Sequence, residues 1–193
     1  MVVCLFMATT SSLFAQNATN RPACWACSMT LTGVPNFYQV TTNLYRGAQP
    51  TADGMKQLQT LGVRSVFSLR VLRSDRHELR GTELKHYSLP TVPWHVGMDD
   101  VVTFLKATTD TNNLPMFVHC ERGADRTGFM CAMYRIVVCD WTKDEAIREM
   151  EQGGYHFSPV WHSLIKEIQK ADVAALKNRV GLPVVNAVIA DKN

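Results

Sequence analysis

The sequence has no large excess of charge of either sign. Its 193 residues carry 20 Lys and Arg against 17 Asp and Glu, a formal net charge of +3. No long Lys/Arg run accompanies this balance, which argues against a nucleic-acid-binding protein. No apolar run reaches the roughly 20 residues that span a bilayer, so we expect no membrane domain. Clusters with metal-ligand spacing are also missing, and we expect neither a metal nor another cofactor.

Internal repeats and low-complexity tracts are absent, and strand-like and helix-like segments alternate instead. A chain of 193 residues with 46% hydrophobic content fits one domain with one core. The alternation favours an α/β fold with a central, mainly parallel sheet flanked by helices. Strands are predicted at 37–40, 43–46, 63–69, 84–89 and 115–118, and helices at 50–61, 74–80, 99–109, 126–138, 142–151 and 158–177.

Charged side chains are missing from residues 1–15, which are first apolar and then small and polar. This composition is typical of a secretory signal peptide cut after Ala15, although the usual basic start is missing too. A buried N-terminal strand or helix is the alternative. We expect a periplasmic or secreted protein with an arm at 16–36, a domain at 37–178 and a tail at 179–193.

Removal of that segment would leave an odd number of cysteines. The chain has six cysteines, of which Cys4 would leave with the signal peptide. An odd count in an exported protein suggests that one thiol is kept free for a purpose. Cys24 and Cys27 have C-x-x-C spacing but do not lie between a strand and a helix, so we expect a local disulfide or two idle thiols. A thiol–disulfide oxidoreductase is a distant alternative.

The stretch with the most chemical content lies between a predicted buried strand and a strongly apolar helix. It reads VHCERGADRTG over residues 118–128. Five residues separate Cys120 from Arg126, and a loop of that length can turn its backbone N–H groups toward one anion, with a helix N-terminus behind it. Gly123 permits the backbone conformation that this needs, and Arg126 offers two parallel donors to phosphate oxygens.

Cys120, at the floor of this anion-binding loop, is the predicted nucleophile. The amides, the helix end and Arg126 favour its thiolate over its thiol. The thiolate can attack phosphorus in line with the leaving oxygen and form a phosphocysteine. We expect Thr127 to hydrogen-bond the sulfur as it leaves and His119 to orient the loop. The residues predicted to bind the substrate are Glu121, Arg122, Gly123, Ala124, Asp125 and Thr127.

The pattern H-C-x-x-G-x-x-R-T-G at 119–128 resembles the H-C-x-x-G-x-x-R-[ST]-G signature of the protein tyrosine phosphatase superfamily. The chain is most similar to the dual-specificity branch, and within it to bacterial, often periplasmic, members. NLYRGAQP at 43–50 resembles the N-L-Y-R-S-x-Q-P segment of that group, and VFSLR at 66–70 is similar too. The resemblance implies a phosphatase fold with a phosphate-binding loop, acting on a phosphorylated protein or a small phosphate ester.

An acidic residue is missing where the resemblance implies a general acid. The acid that protonates the leaving oxygen is usually an Asp on the loop after the preceding strand. The corresponding loop, at 90–98, contains neither Asp nor Glu. Asp99, at its far end, is the preferred candidate, and Asp100, Asp125 and His95 are alternatives. An Asp at a helix start is also typical of a plain helix cap.

Three functions fit these observations. The first is hydrolysis of phosphotyrosine, and also of phosphoserine and phosphothreonine, on proteins. The second is hydrolysis of inositol phosphates or another small polyanion, which is less favoured because Arg122 is the only added cation in the loop. The third is a pseudophosphatase, which the missing acid allows and the intact nucleophile and arginine oppose. Arg70 is predicted at the pocket rim, and Arg46 is predicted to be structural.

Overall fold

The computed structural model describes residues 21–92 and 94–184. Its strands are β1 Cys27–Ser28, β2 Tyr38–Thr41, β3 Leu44–Gly47, β4 Ser65–Ser68, β5 Lys85–Ser88 and β6 Met116–His119. Its helices are α1 Ala52–Thr60, α2 Met98–Thr109, α3 Asp125–Val137, α4 Lys143–Gln152, α5 His162–Lys170 and α6 Val173–Val180, with short 3₁₀ turns at Thr111–Asn113 and Pro159–Trp161. The predicted α/β class is confirmed.

The six described strands form one mixed sheet in the order β1-β2-β3-β6-β4-β5. β3, β6, β4 and β5 are parallel, whereas β1, β2 and β3 pair antiparallel. Phe117 of β6 packs with Met55 and Leu58 of α1 on one face of the sheet. Met116 and Val118 belong to the larger core formed with the other five helices on the opposite face. Because β6 is covered on both faces, its apolar run is uninterrupted.

The carboxyl ends of the parallel strands meet in one row. Gly47 of β3 and Ser68 of β4 both pair in register with His119 of β6. The chain leaves all three strands at the same edge of the sheet, where ligands of α/β proteins bind. Cys120 follows His119 at the centre of this row, so the loops after three strands surround it.

The described part of the N-terminal arm lies along the domain and supplies the edge strand β1. Glu149 of α4 fastens it, because its Oε1 accepts a hydrogen bond from the Ala26 amide at 2.6 Å. The Oε2 of the same carboxylate accepts from Arg135 of α3 at 2.9 Å. The predicted signal peptide, residues 1–15, lies outside the described residues.

One helix prediction is corrected after β4. Residues 75–80 form turns, not the helix predicted over 74–80. Asp75 starts these turns and has its side chain fully buried, so the segment is held by an inward polar contact and not by an apolar helix face.

The last predicted helix, over 158–177, is also corrected, because it is broken into a 3₁₀ turn, α5 and α6. Asp172 starts α6 and accepts a hydrogen bond from the Ala175 amide at 3.0 Å, which makes it a new helix cap. α6 continues to Val180, past the predicted start of the tail. None of the described helices combines the length and apolar character needed to cross a membrane.

Candidate active site

The loop between β6 and α3 forms the floor of a surface cleft. Cys120 lies in this floor with 3% of its surface exposed. The residues that line the cleft are Cys120, Glu121, Arg122, Asp125, Arg126, Ser158, Val160 and Trp161. The structure therefore brings the predicted nucleophile and arginine together with three of the predicted substrate-binding residues. The last three lining residues follow α4, and no local pattern in the sequence connected them with the loop.

The backbone of the loop is oriented by a buried arginine behind it. Arg46 Nη2 donates to the carbonyl oxygens of Gly123 and Ala124 at 2.8 and 3.4 Å, and its guanidinium stacks on Tyr155 at 3.8 Å from the ring centroid. The amide N–H groups of residues 121–125 make no hydrogen bond to the described part of the chain. No side chain caps the start of α3. The loop amides and the positive helix end therefore remain available to an anion above the nucleophile.

The segment at 43–50 shapes the loop from the neighbouring strand. Gly123 has a φ of +68°, and a Cβ at this position would overlap the backbone of Gly47. Only glycine adopts this positive φ without strain and has no Cβ to overlap Gly47. The Gln49 amide donates to the carbonyl oxygen of Glu121 at 3.1 Å. These contacts give a physical reason for the NLYRGAQP pattern, since its residues support the phosphate-binding loop.

Arg126 is held across the cleft by two backbone carbonyls. Its Nη1 donates to the oxygens of Leu69 and Thr91 at 3.0 and 3.1 Å. Its Nε and Nη2 make no hydrogen bond to a described residue, so two nitrogen donors remain for phosphate oxygens. Thr127 follows with its hydroxyl fully buried, and no described residue bonds that hydroxyl.

Arg70 joins the loops around the nucleophile. It donates to Gln49 Oε1 at 2.6 Å and pairs with the Glu121 carboxylate at 2.7 Å. Its Nη1 also lies 4.0 Å from Oδ1 of Asp75. Arg70 lines a shallow pocket that adjoins the cleft. Its ion pair with Glu121 also orients that side chain.

Asp75 is the polar residue near the site that sequence analysis missed. Its Oδ2 lies 3.0 Å from His119 Nε2 and 3.3 Å from His86 Nε2. Burial alone would raise the pKa of this carboxyl, but the hydrogen bond with His119 and the contact with His86 outweigh burial and hold the pKa well below the usual range. The carboxylate is therefore ionised. No periodic pattern indicates a contact over such a separation in sequence.

The preferred general-acid candidate, Asp99, is not brought into the cleft. Its exposed carboxylate pairs with Arg179 of α6 at 2.6 Å, which holds it on the outside of α2. Asp100 accepts a hydrogen bond from the Gly97 amide at 3.1 Å, as expected of a residue that caps a helix start. His95 is exposed and does not line the cleft either.

Asp125 is the carboxylate that the structure places in the cleft beside Arg126. It begins α3, and its Oδ1 accepts a hydrogen bond from the Ser158 amide at 2.8 Å. This bond ties the loop after α4 to the phosphate-binding loop. The Oδ2 atom of Asp125 is left for another partner.

The remaining cysteines differ from Cys120 in their surroundings. Burial raises the pKa of Cys131 on α3 to about 11, so this residue is a thiol at neutral pH. Cys24 and Cys27 are both exposed and are not joined by a disulfide in this structure; whether they form a local disulfide or stay idle thiols remains a prediction. Over residues 21–92 and 94–184, no group of His, Cys, Asp and Glu side chains is arranged to hold a metal ion.

Comparisons with known proteins agree with this geometry. The family model described as "DSP-PTPase phosphatase fused to NAD+ Kinase" matches residues 31–158. The chain is 33% identical over 164 residues to the dual specificity protein phosphatase TpbA of Pseudomonas aeruginosa, a match that covers 84% of this chain and 74% of that protein. The chain belongs to the dual-specificity family of protein tyrosine phosphatases. It is therefore a hydrolase, and the matched region includes the strand–loop–helix at 118–128.

Solved phosphatase structures share the fold. The crystal structure of P. aeruginosa TpbA matches with a TM-score of 0.74 at 32% identity, covering 82% of this chain and 98% of that one. The core catalytic domain of the phosphatase SIW14 from S. cerevisiae matches with a TM-score of 0.67, covering 80% of this chain and 99% of that one. At 18% identity, the second match shows a shared fold and nothing finer.

Proposed function

We propose that this phosphatase transfers the phosphoryl group of its substrate to Cys120 and then to water. The observation that carries the proposal is the convergence of Cys120, the loop amides and the Arg126 fork on one cleft. The amides and Arg126 would bind the equatorial phosphoryl oxygens while the thiolate faces phosphorus. The first step forms the S–P bond and breaks the P–O bond to the leaving group. The second forms a P–O bond from water and returns the thiolate, to which Thr127 can donate.

Asp125 is the group that we propose as the general acid. It lies in the cleft, whereas Asp99 is paired outside it. With Oδ1 engaged by the Ser158 amide, Oδ2 is free to carry a proton. That proton passes to the leaving oxygen in the first step, and the resulting carboxylate takes a proton from the attacking water in the second.

The Asp125→Asn variant separates this role from loop support, because the amide oxygen can still accept from Ser158. We expect kcat/KM for phenyl phosphate, a poor leaving group, to fall by about 10²-fold or more. Hydrolysis of p-nitrophenyl phosphate, which needs little protonation, should fall by less than about tenfold. Asp99→Asn is the matched control and should change neither rate. A leaving-group-dependent loss in Asp99→Asn, and none in Asp125→Asn, would move the acid to Asp99.

The substrate that the cleft favours is an aryl phosphate, and hence phosphotyrosine on a protein. Val160 and Trp161 supply an apolar wall beside the phosphate-binding loop, and Val160 is 78% exposed. An aromatic ring stacked there gains contacts that a serine side chain cannot make. A cysteine-to-serine variant of P. aeruginosa TpbA, whose structure matches this one with a TM-score of 0.75 at 31% identity, has been solved in complex with phosphotyrosine.

A small polyanion fits the cleft less well. An Arabidopsis thaliana relative named inositol diphosphatase DSP5 is 27% identical over 128 residues, covering 61% of each chain. In the present cleft, however, Arg122 and Arg126 are accompanied by the carboxylates of Glu121 and Asp125. The Glu121 carboxylate, although paired with Arg70, opposes a ligand with several phosphates, and Asp125 opposes it too whenever it is ionised.

A substrate panel tests the proposed function. We expect kcat/KM for a phosphotyrosine peptide to exceed that for the phosphoserine peptide with the same flanks by about tenfold or more, and inositol hexakisphosphate to be turned over least. Trp161→Ala should lower the phosphotyrosine rate by about tenfold and leave the phosphoserine rate almost unchanged. A higher kcat/KM for inositol hexakisphosphate than for both peptides would favour the polyanion function instead.

We also propose that the protein is exported, to the periplasm or beyond. The support is the composition of residues 1–15, which lack charge, begin with an apolar run and end at Ala15, a small residue of the kind that precedes a cleavage site. Hydrolysis of phosphotyrosine would then take place outside the cytoplasm.

A further inference from the structure

Two apolar residues on the loop after β4 have no core to pack against. Leu69, directly after the strand, is fully buried, but Val71 and Leu72 are 45% and 94% exposed. The start of this loop is fixed, because Arg70 pairs with the Glu121 carboxylate of the phosphate-binding loop at 2.7 Å. The apolar pair is therefore held at the surface, beside the loop that carries the nucleophile.

Exposed apolar side chains are concentrated around the cleft. Among the residues that the structure describes, the large apolar side chains that are exposed are those of Leu61, Val71, Leu72, Trp94 and Val160. Val160 lines the cleft, and Val71 and Leu72 line the shallow pocket that adjoins it. A single exposed apolar residue is ordinary, but several around one site are typical of a surface that binds a partner.

The adjoining pocket, here called the side pocket, is lined by Arg70, Val71, Leu72, Glu121 and Arg126. Glu121 and Arg126 also line the cleft, so the two share a wall. In an extended peptide, a residue two positions away lies about 7 Å along the chain, with its side chain on the same face. When a phosphotyrosine is bound at Arg126, a nearby residue of the same substrate therefore reaches the side pocket.

The charged groups of the side pocket are already engaged. Arg70 and Glu121 neutralise each other, and Arg126 is the proposed ligand of the phosphoryl group. The surface that remains is the apolar surface of Val71 and Leu72, which an apolar side chain covers better than an acidic one. The volume of the pocket, about 230 Å³, suits one side chain and not a larger ligand.

We propose that the side pocket binds an apolar side chain of the substrate protein, within two residues of the phosphotyrosine, and that Leu72 determines this preference. The inference rests on the proposed hydrolysis of phosphotyrosine at Cys120. The loop amides and Arg126 bind the phosphoryl group, which is the same in every phosphotyrosine. The side pocket therefore adds selection among phosphotyrosine sites by their flanking residues.

A peptide scan with the wild-type enzyme tests the preference. Leucine, alanine and glutamate are placed in turn at each position within two residues of the phosphotyrosine, on either side. At one or more of these positions, we expect kcat/KM for the leucine peptide to exceed that for the alanine peptide by about fivefold or more. Glutamate should be no better than alanine. Equal rates for leucine and alanine at every position, or a preference for glutamate, would overturn the proposal.

The Leu72→Ala variant assigns the preference to the side pocket. In this variant the ratio of kcat/KM for the leucine peptide to that for the alanine peptide should fall to about one, because the surface that distinguishes them is gone. Leu61→Ala is the matched control, since Leu61 is also an exposed leucine but follows α1 and lines neither pocket. It should keep the wild-type ratio. A ratio that survives Leu72→Ala, or that is lost in both variants, would contradict the assignment.

Binding of the same peptides to Cys120→Ser, measured by calorimetry, separates this inference from the proposed function. If the wild type hydrolyses no peptide, while Cys120→Ser binds the leucine peptide more tightly and an added Leu72→Ala removes the difference, the side-pocket assignment stands and the catalytic proposal fails. If the wild type hydrolyses the leucine and alanine peptides equally well at every position, the catalytic proposal stands and the side-pocket assignment fails.

A second copy of this chain is the other occupant that an apolar surface of this kind could take, and sedimentation tests it. We expect the wild type and Leu72→Ala to have the same oligomeric state at every concentration. Self-association of the wild type that Leu72→Ala abolishes, together with equal rates for the leucine and alanine peptides, would assign the apolar pair to a dimer interface and overturn the proposal.

Discussion

Cys120→Ser is expected to lower kcat on aryl phosphates by at least about 10⁴-fold, the largest effect of any single substitution in this protein. The proposed nucleophile is a thiolate, and a serine hydroxyl in its place is not ionised to a useful extent near neutral pH. Steady-state hydrolysis of p-nitrophenyl phosphate measures the loss. Serine is close to cysteine in size, so the loop, its amides and Arg126 should keep their positions.

Binding of sulfate provides the control for this variant. Because this tetrahedral anion would be held by the loop amides and Arg126 without a bond to the sulfur, Cys120→Ser should still bind it when measured by calorimetry. Loss of turnover with binding retained assigns chemistry to the sulfur. Wild-type protein that binds sulfate and hydrolyses none of the substrates in the panel would instead be a pseudophosphatase.

Arg126→Lys is expected to have the second-largest effect, a fall in kcat/KM of about 10²- to 10³-fold. Lysine keeps the positive charge but offers no planar pair of donors to two phosphoryl oxygens. It also cannot keep one nitrogen bonded to the carbonyls of Leu69 and Thr91 while two other nitrogens stay available to the substrate. Initial rates with p-nitrophenyl phosphate test this prediction.

Arg122→Lys is the matched control, since Arg122 lines the same cleft but its side chain is exposed. We expect its kcat/KM for p-nitrophenyl phosphate to stay within about threefold of wild type, because a solvated charge contributes little to binding a small ester. Equal losses in the two variants would mean that only charge matters, and the proposed fork geometry would be wrong.

The nucleophile and the arginine could be predicted from the sequence because their arrangement is local. Cys120 and Arg126 lie on one short loop between a strand and a helix, and the apolar run of β6 together with Gly123 specifies that loop. The parallel sheet could also be predicted, since its strands alternate with helices along the chain. Where residues that are close in sequence are also close in space, the sequence pattern is enough to predict the site.

The contacts that the sequence did not indicate join distant segments. Asp75 reaches His119 across 44 positions, and Asp125 reaches the Ser158 amide across 33. Proximity in sequence to the expected loop favours Asp99 as the acid. Its pairing with Arg179, 80 positions away, depends on how α6 packs against α2. Hydrophobic periodicity predicts which face of an element is buried, but not which polar groups meet at its end.

The phosphocysteine is tested most directly by trapping it. Wild-type enzyme is mixed with saturating p-nitrophenyl phosphate and quenched in acid during turnover, and its peptides are then examined by mass spectrometry. With so good a leaving group, hydrolysis of the intermediate is expected to limit the rate, so a phosphoryl group should be found on the peptide that contains Cys120 and on no peptide of Cys120→Ser. Turnover without a phosphorylated Cys120 peptide, or with the phosphoryl group on another residue, would contradict the account.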